Sequence, residues 1–548
     1  MNRREFIMDP ATDSRPKNNV EVSRTLTGLT PYTGTWTTSE VKHLLRRTMF
    51  SANKADVDYF HSLGLTGAIN ELLSTVNSSS PPLYTSSLYA DPNVPLGQTW
   101  VNAPFDSIAN TYRRTSYRSW WIGLMINQSR SITEKMVLFW HNHFSTEVAT
   151  IGDVRYAYNH NVLLRQYALG NFKNLTKAIS IDPSMLKYLN GYLNTNSAPD
   201  ENYGRELQEL FTVGKDANGQ PYYTEDDVRY ASKILTGYRI DAANVVSYFD
   251  STRHDTTDKY FSAYYNNTIV SGQSGSAGQN ELDDLLNMIF AAPDVALNIC
   301  RKLYRFFVYY EIDAAVEANV IQPLAQLFRS NNYDILPVLD ALFSSEHFFD
   351  ILNRGAIIKS PTDFLVAACR DFNVIFPDAT SYVEQYGLWN KIYSSGSSLG
   401  QAVGDPPNVA GWPAYYSAPQ YHELWINAST LPTRNAFTDR MSANGYASGS
   451  SRINFDFVTY TESLTNPSDP NLLISEVIDR HYCFDVSQTL KDFLKGYLLS
   501  GQITDAYWTI AWNDYVNAPA NTSYYNIVQT RLKGMYQYLL ELAEYQLS

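Results

Sequence analysis

Cysteine is scarce in this sequence. Only Cys300, Cys369 and Cys483 occur among 548 residues, and they lie far apart along the chain. Three scattered cysteines form neither a disulfide framework nor a Cys-x-x-Cys metal knuckle, so the sequence predicts buried free thiols.

Long apolar runs and an excess of positive charge are also missing. The longest apolar run, 364–369, covers about six residues, whereas a helix that spans a membrane needs about 20. The chain carries 42 Lys and Arg against 55 Asp and Glu, which gives a net charge of −13. We therefore expect no transmembrane segment and no binding of nucleic acid through a broad basic surface.

Several catalytic motifs are absent as well. The sequence has no Walker A loop, no Gly-x-Ser-x-Gly elbow after a strand, no His-Glu-x-x-His motif and no Rossmann glycine pattern. Nucleotide hydrolysis, serine esterase chemistry and zincin-type proteolysis are therefore disfavoured.

Apolar and aromatic residues are abundant. Hydrophobic residues make up 44% of the chain, which contains 41 Tyr and 10 Trp. Such a composition is typical of a protein with a large core and not of a disordered one. Tyr and Trp combine an apolar body with a polar tip, so they suit the cores of large helical proteins and also surfaces that face sugars or protein partners.

The first 37 residues differ from the rest of the chain. An arginine pair, Arg3-Arg4, stands before an apolar pair as at the start of a twin-arginine export signal, but residues 9–21 are polar where an apolar stretch is needed. We therefore expect no complete signal peptide. The segment is rich in Pro, Asn, Ser and Thr, which predicts a disordered or draped arm over residues 1–37.

Helical periodicity dominates from residue 38 onward. It is interrupted at 238–280, where short apolar runs predict a small β-hairpin, and at 392–427, which is rich in Pro, Gly and Trp. Strands and helices do not alternate, so a parallel α/β sheet is not expected. The sequence predicts an all-α fold, with one large multi-helical domain over 38–548 and a minor β-hairpin insertion.

Two helix boundaries are predicted with particular residues. A helix over 201–213 is expected to stop at Gly214, and Thr224 and Asp227 form a capping box at the start of the next helix. Further helices are predicted at 55–73, 109–142, 157–177, 281–290, 293–309, 314–330, 335–343 and 360–376, and short strands at 245–249 and 260–265.

Two histidines, His141 and His143, stand two residues apart. On a helix they would point in nearly opposite directions, so both reach one ion only where the helix has ended. Neutral imidazole nitrogen suits Zn²⁺ or Fe²⁺. The pair is either a source of metal ligands or acid–base groups, or a pair of structural histidines, and the sequence leaves both open.

Two glutamates, Glu206 and Glu209, stand three residues apart in the helix predicted over 201–213, so they share a face. Such carboxylates can ligate a metal, or act as acid and base if burial raises one pKa. The alternative is an ion-pair network that includes Arg205.

Two irregular segments carry further candidates. Asp255 follows His254, and an acid beside a histidine can orient it or join it on a metal; the alternative is a solvated polar loop.

Prolines and Gly411 stiffen the loop that contains Asn408 and Trp412. An amide beside a flat aromatic ring suits a sugar in a pocket, and the alternative is a loop that covers helix ends.

Short motifs along the chain resemble, in the same order, the bacterial proteins catalogued as domain of unknown function 1800. They are HLLRRTMF at 43–50, WHNHF at 140–144, DPSMLKYL at 182–189, ENYGRELQELFTVG at 201–214, YTEDDV at 223–228, LTGY at 235–238, HD at 254–255 with Lys259, PPNVAGW at 406–412 and LAEYQ at 542–546. The resemblance covers about residues 40–547. This chain departs from the usual family pattern at Gly204, where Ala is common, and at Tyr238, where Trp is common.

The resemblance implies a mostly helical, exported protein of a family with no settled activity. Members are often encoded beside a family with an alkaline-phosphatase-like fold. An extracytoplasmic location and a partner of that fold are therefore what the resemblance implies.

Two classes of function remain open. The first is a metal-assisted hydrolase or transferase that holds a divalent transition metal, and the second is a non-catalytic binding or assembly protein for a glycan, a protein or a surface structure. In the first, the metal ligands are His141, His143, His254 and Asp255, and the catalytic groups are Arg205, Glu206 and Glu209; in the second, Asn408 and Trp412 contact the ligand. An open pocket lined by His143, Glu209 and His254 would favour the enzyme.

Overall fold

A computed structural model describes residues 28–75 and 79–548 of the chain. Most of these residues are helical, and the buried apolar side chains form one contiguous cluster that extends from Val41 to Tyr545. The predicted all-α class with minor β-hairpins is confirmed, while the division into an arm and one domain stays a prediction.

The helices up to residue 234 build the part of the fold that carries most of the sequence motifs. They are α1 (Thr38–Thr48), α2 (Lys54–Ser62), α3 (Gly64–Leu72), α4 (Ala109–Ile126), α5 (Thr133–His143), α6 (Val148–Ile151), α7 (Val154–Gln166), α8 (Phe172–Ser180), α9 (Pro183–Tyr188), α10 (Glu201–Glu206), which continues into a π turn (Leu207–Phe211), and α11 (Glu225–Ile234).

The remaining helices follow the irregular insertion. They are α12 (Glu281–Ala291), α13 (Pro293–Phe307), α14 (Ala314–Val316), α15 (Gln322–Ser330), α16 (Leu336–Phe343), α17 (Pro361–Asp371), α18 (Tyr382–Ser398), α19 (Thr430–Ser442), α20 (Phe457–Glu462), α21 (Pro470–His481), α22 (Gln488–Leu499), α23 (Ala506–Asn517) and α24 (Thr522–Glu541). Within the described residues, no helix combines the length and the apolarity needed to span a bilayer.

Strands occur as short antiparallel pairs. They are β1 (Tyr238–Asp241) with β2 (Val246–Phe249), β3 (Lys259–Tyr260) with β4 (Ile269–Val270), and β5 (Tyr446–Ser448) with β6 (Ser451–Ile453). Inside the predicted insertion there are thus two hairpins where one was expected. The run predicted as a strand at 260–265 continues beyond β3 as a 3₁₀ turn at Ala263–Tyr265.

Three predicted long helices are each divided in two. The breaks lie at Leu63 in 55–73, at 127–132 in 109–142 and at 167–171 in 157–177. At the second break the backbone N–H of Ile132 donates to the carbonyl of Leu72 at 2.9 Å, so a contact with a distant segment replaces a helical hydrogen bond. The expected loop at 392–427 also starts too early, because 392–398 complete α18.

One predicted boundary is confirmed, and one lies two residues from its predicted place. The helical turn after α10 ends at Phe211 and not at 213; Gly214 follows with φ +80°, a backbone conformation that favours glycine, and its N–H donates to the carbonyl of Gln208 at 3.0 Å. Thr224 and Asp227 make the predicted capping box, and Asp227 also accepts hydrogen bonds from Ser262. These contacts fix α11 against α10 on one side and the insertion on the other.

The cysteines and the N-terminal segment complete the comparison. All three cysteines are free; Cys300 and Cys369 are buried and Cys483 is half-buried. Of the expected arm, residues 1–27 lie outside the described residues. Residues 28–37 lie along 344–346, where the N–H of Tyr32 donates to the carbonyl of Ser344 at 2.8 Å.

Candidate functional site

Two basic side chains hold the carbonyl groups at the end of the π turn. His143 Nε2 lies 3.1 Å from the carbonyl oxygen of Phe211, and Lys302 Nζ donates to the carbonyl of Leu210 at 2.8 Å. Nζ also lies 3.1 Å from His143 Nδ1. A carbonyl only accepts, so Nε2 of His143 carries its proton and Nδ1 accepts from the lysine. A helix end needs such external partners for its last carbonyls, and the π turn obtains them from α5 and α13.

The electrostatics of this pair are unusual. Burial, and then the charge of Lys302, keeps the pKa of His143 well below its usual range. Burial and the charge of Arg305 lower the pKa of Lys302 to about 7. At neutral pH the imidazole is therefore neutral, and the lysine exchanges its proton near pH 7.

His141 lies in a separate aromatic environment. Its ring centroid is 5.0 Å from that of Trp121, 5.9 Å from Trp412 and 6.2 Å from His160. Burial lowers its pKa to about 3, so the ring is neutral. His141 and His143 thus have different neighbours, and the structure does not bring them to a common ligand.

The loop at 404–412 packs on the end of α5. The N–H of Trp412 donates to Asn142 Oδ1 at 2.9 Å, and a Cβ built on Gly411 would lie 2.2 Å from that oxygen. Trp412 is 1% exposed, so its ring is not available to a ligand. Asn408 is exposed and donates to Tyr416 Oη at 3.1 Å; its predicted binding role stays a prediction.

Glu206 and Glu209 stand at the junction between α10 and the π turn. Glu209 Oε1 lies 2.5 Å from Lys215 Nζ, and Oε2 accepts from Tyr223 Oη at 3.4 Å. Glu206 is half-buried, and burial, followed by the negative charge of Glu209, raises its pKa. The charges of Arg205 and Lys215 oppose that rise without cancelling it. Glu209 is thus ion-paired, while the pKa of its neighbour Glu206 is raised.

Tyr188 and Glu147 lie beside this carboxyl pair. Burial and then the negative charges of Glu147 and Glu206 raise the pKa of Tyr188. Glu147 precedes α6, whose first N–H, that of Val148, donates to the carbonyl of Gly404 at 3.0 Å. The junction of α10 and the π turn, the segment after α5 and the loop at 404–412 therefore meet at one place on the protein.

Arg205 forms ion pairs, but with other glutamates than the Glu206 and Glu209 of the alternative network. Its two terminal nitrogens bind both oxygens of Glu225 at 2.9 and 2.6 Å, and Glu201 lies 3.5 Å away. The positive charge of Arg205 therefore lies beside Glu225 at the start of α11. This arrangement connects α10 to α11.

His254 and Asp255 belong to a buried network elsewhere in the fold. Lys259 Nζ lies 2.5 Å from Glu281 Oε2 and donates to the carbonyl of Asp255 at 2.6 Å. His254 Nε2 is 3.1 Å from Glu281 Oε1, in a contact without hydrogen-bond geometry. Lys233 Nζ approaches Asp255 Oδ2 to 3.5 Å. Lys259 and Glu281 are 0% exposed, so the network joins the insertion to α11 and α12 out of reach of solvent.

A common metal centre is not observed. Across 28–75 and 79–548, no three His, Cys, Asp or Glu side chains form a group that could hold a metal ion. The expected convergence of His141, His143, His254 and Asp255 therefore lacks support. Spacing along the chain could not reveal this, because their neighbours come from distant segments.

Sequence reasoning missed two cavities that share one wall, the side chain of Arg46. The outer cavity, of about 370 Å³, lies between α1 and α21 and is lined by Lys42, Arg46 and Lys491 among others. The inner cavity, of about 40 Å³, is lined by Arg46, Arg47 and Arg305 among others. The adjacent arginines of the 43–50 motif could have indicated these cavities, because two neighbouring positive charges are unusual in an acidic protein.

Comparison with known proteins gives one match. A family model described as a protein of unknown function (DUF1800) matches residues 43–547. No curated protein and no solved structure matches the chain.

Proposed function

The chain belongs to the family described as a protein of unknown function (DUF1800), and because that description names no activity, we propose from the geometry that the protein is an acid–base hydrolase or transferase. Glu206 is the proton donor and Glu209 is the proton acceptor. The observation that carries the proposal is the unequal environment of these neighbouring carboxyls.

The two roles follow from the surroundings of each carboxyl. Burial and the charge of Glu209 raise the pKa of Glu206, and a carboxyl with a raised pKa is the better candidate to donate a proton to a leaving group. Glu209 is paired with Lys215 at 2.5 Å, and a carboxylate can accept a proton from an attacking water or hydroxyl. As the new bond to that oxygen forms and the bond to the leaving group breaks, one proton reaches Glu209 and one leaves Glu206.

His143 and Lys302 act in this proposal as positioning residues. They bind the carbonyls of Phe211 and Leu210, which immediately follow Glu209 in the π turn. π turns frequently occur at functional sites. Loss of either side chain would free the turn that aims the Glu209 carboxylate.

The charge around the pair limits the substrate. The carboxylate of Glu147 adds negative charge near Tyr188, while that of Glu209 is paired with Lys215, so a neutral substrate is favoured over an anionic one. Tyr188, which is half-buried and lies within range of the charge of Glu206, combines a ring face with a hydroxyl group, which suits a neutral, polyhydroxylated substrate such as a glycan. An extracytoplasmic location and a partner of alkaline-phosphatase-like fold belong to this proposal on the resemblance alone.

A non-catalytic binding role is the second candidate. It is favoured by the ion pairs of Arg205 with Glu225 and Glu201 and by the burial of the network around His254. In that case the polar motifs fix the positions of helices, and Glu206 is a half-buried carboxyl without a chemical role.

Hydrolysis of a panel of nitrophenyl and dinitrophenyl glycosides and esters separates the two candidates. Glu206→Gln and Glu209→Gln should each lower turnover of nitrophenyl substrates by about 100-fold or more, because acid and base contributions are of that order. Glu311→Gln, at an exposed glutamate, is the matched control and should change turnover by less than about threefold.

The leaving group gives a mechanistic readout. A dinitrophenolate leaves without protonation, so Glu206→Gln should lose much less activity on dinitrophenyl substrates than on nitrophenyl substrates, whereas Glu209→Gln should lose activity on both. Wild-type protein that hydrolyses nothing in the panel, or glutamine variants with unchanged turnover, would remove the enzyme proposal and leave the binding role.

A further inference from the structure

Three guanidinium groups line the inner cavity, those of Arg46, Arg47 and Arg305. Arg46 donates to the carbonyls of Tyr482 and Arg480 at 2.8 and 2.7 Å, and Arg47 donates to the carbonyl of Asn353 at 2.6 Å. A third guanidinium, that of Arg305, donates to the carbonyl of Tyr310 at 3.3 Å. In the described part of the chain, none of these three guanidiniums has an ion-pair partner.

Asp363 and Ser548, the last residue of the sequence, both line this cavity. Among the described residues, no ion pair joins the terminal carboxylate of Ser548 to the three guanidiniums. Asp363 forms an ion pair with Lys135 and accepts a hydrogen bond from Ser360 at 2.9 Å. The pair of Lys135 and Asp363 is neutral as a unit, so it does not balance the guanidinium charges. Burial lowers the pKa of Arg47 to about 10, as expected for a buried cation without a close counter-ion.

Two hydrogen-bond donors in the cavity wall lack acceptors. Arg47 is 4% exposed, and its Nε–H has no partner among the residues described. His422 Nδ1 accepts from the N–H of Ile358 at 3.1 Å, so Nε2 carries the proton of this neutral ring. That Nε2–H is buried and also has no partner in the described chain. An unmade hydrogen bond of this kind is unfavourable, and a bound ion or water is its usual explanation.

Size and shape limit what can occupy the cavity. A water needs about 10–15 Å³ on this measure, so about 40 Å³ accommodates one small polyatomic group. Aromatic side chains form part of the wall, and Tyr421 lies with its ring centroid 5.4 Å from the Arg305 guanidinium. The side chains that matter are Arg46, Arg47, Arg305, Tyr421, His422 and Trp425.

We infer that the inner cavity is a binding site for a doubly charged tetrahedral oxyanion group, phosphate or sulfate, held by Arg46, Arg47, Arg305 and the Nε2–H of His422. The group is either the free ion or the end of an ester that enters from the protein surface. Guanidinium groups recognise such oxyanions through several directed hydrogen bonds as well as through charge. A tetrahedral dianion accepts from all four side chains and supplies the missing counter-charge, whereas a carboxylate supplies half of that charge.

Calorimetric titration of the full chain at pH 8 in low-chloride buffer tests this site. The probes are inorganic phosphate, sulfate and a sugar phosphate, with acetate as the singly charged comparison. Wild-type protein should bind phosphate and sulfate saturably with a stoichiometry of one. A sugar phosphate that binds at least as tightly identifies an ester as the ligand, and binding of the inorganic ions alone identifies the free ion.

Two variants and one control keep the result interpretable. Arg305→Gln changes a half-buried side chain, and Arg47→Met replaces the buried guanidinium with an apolar chain of similar length, a change that proteins often tolerate. Both should weaken phosphate binding at least tenfold, while Arg329→Gln, at an exposed arginine, should change it less than twofold. Absence of saturable binding, acetate that binds as tightly as phosphate, or variants that bind like the wild type would overturn the inference.

Discussion

Replacement of Lys259 by methionine isolates the contribution of the buried network around His254. Lys259 and Glu281 are 0% exposed, and their charged atoms are 2.5 Å apart. The variant leaves the Glu281 carboxylate inside the protein without its ammonium partner. A second pair, Lys54 with Asp58, has the same 2.5 Å separation but side chains that are 40% and 56% exposed. The two pairs therefore differ mainly in burial.

The expected magnitude follows from that difference. Removal of one partner of a buried ion pair costs about 3–5 kcal/mol. Glu281 keeps the N–H of Gln273 as a donor at 2.6 Å, so we expect the lower end, about 3 kcal/mol. A chain of 548 residues has an unfolding entropy of roughly 1.2 kcal/mol/K, so the midpoint of thermal unfolding should fall by about 3 °C. Lys54→Met should cost less than about 1 kcal/mol.

Thermal unfolding followed by circular dichroism at pH 7 measures both variants. The double variant Lys259→Met/Glu281→Leu removes both charges and should recover at least half of the loss, since an apolar pair can replace a buried ion pair. Equal effects of Lys259→Met and Lys54→Met, or a double variant that is no more stable than Lys259→Met, would refute the reasoning. A network of this kind is structural, which is why His254 and Asp255 are not placed in the proposed active site.

Three further changes have defined outcomes. Lys302→Met should flatten the rise of the unfolding midpoint between pH 7 and 10.5. The pKa of Lys302 is lowered from 10.5 to about 7 in the folded protein, so this lysine contributes stability above pH 10.5 that is lost as the pH falls through 7. An unchanged slope in the variant would contradict that pKa. Gly204→Ala should lower the midpoint, because a Cβ would lie 2.3 Å from Ser232 Oγ, and a second change, Ser232→Ala, should restore it; without rescue the contact is not the cause. Thr224→Ala should cost about 1 kcal/mol in urea unfolding, because its hydroxyl accepts from the N–H of Asp227 at 3.3 Å, and an unchanged midpoint would contradict a contribution from this cap.

Local features of the fold were predictable from sequence. The cap at Thr224 and the helix end near Gly214 depend on the chemistry of a few adjacent residues. The cap is confirmed, and the helix ends at Phe211, two residues earlier than predicted. The breaks in the predicted long helices could not be predicted. The break at 127–132, for example, is stabilised by a hydrogen bond from Ile132 to Leu72, which is far away in sequence. Periodicity carries no information about such a partner.

The candidate site was predictable only in part. The residue types and spacing selected Glu206 and Glu209 as candidates, and their catalytic role stays a prediction. The difference between their environments depends on burial and on Lys215. The π turn could not be predicted, since its carbonyls are held by His143 and Lys302 from other helices. Arg46 was missed as a binding residue for a similar reason, because its cavities form only when α1 meets segments several hundred residues away.

The hydrogen bond from Arg46 to the carbonyl of Tyr482 joins positions 436 residues apart. A ribosome that adds about 5–20 residues per second needs roughly 20–90 s to make the intervening chain. During that interval α1 has left the exit tunnel while its guanidinium lacks the acceptors that later fix it. Closure around Arg46 is therefore a late event in biosynthesis, and a polypeptide interrupted before residue 482 would lack the Tyr482 carbonyl that holds this shared side chain of both cavities.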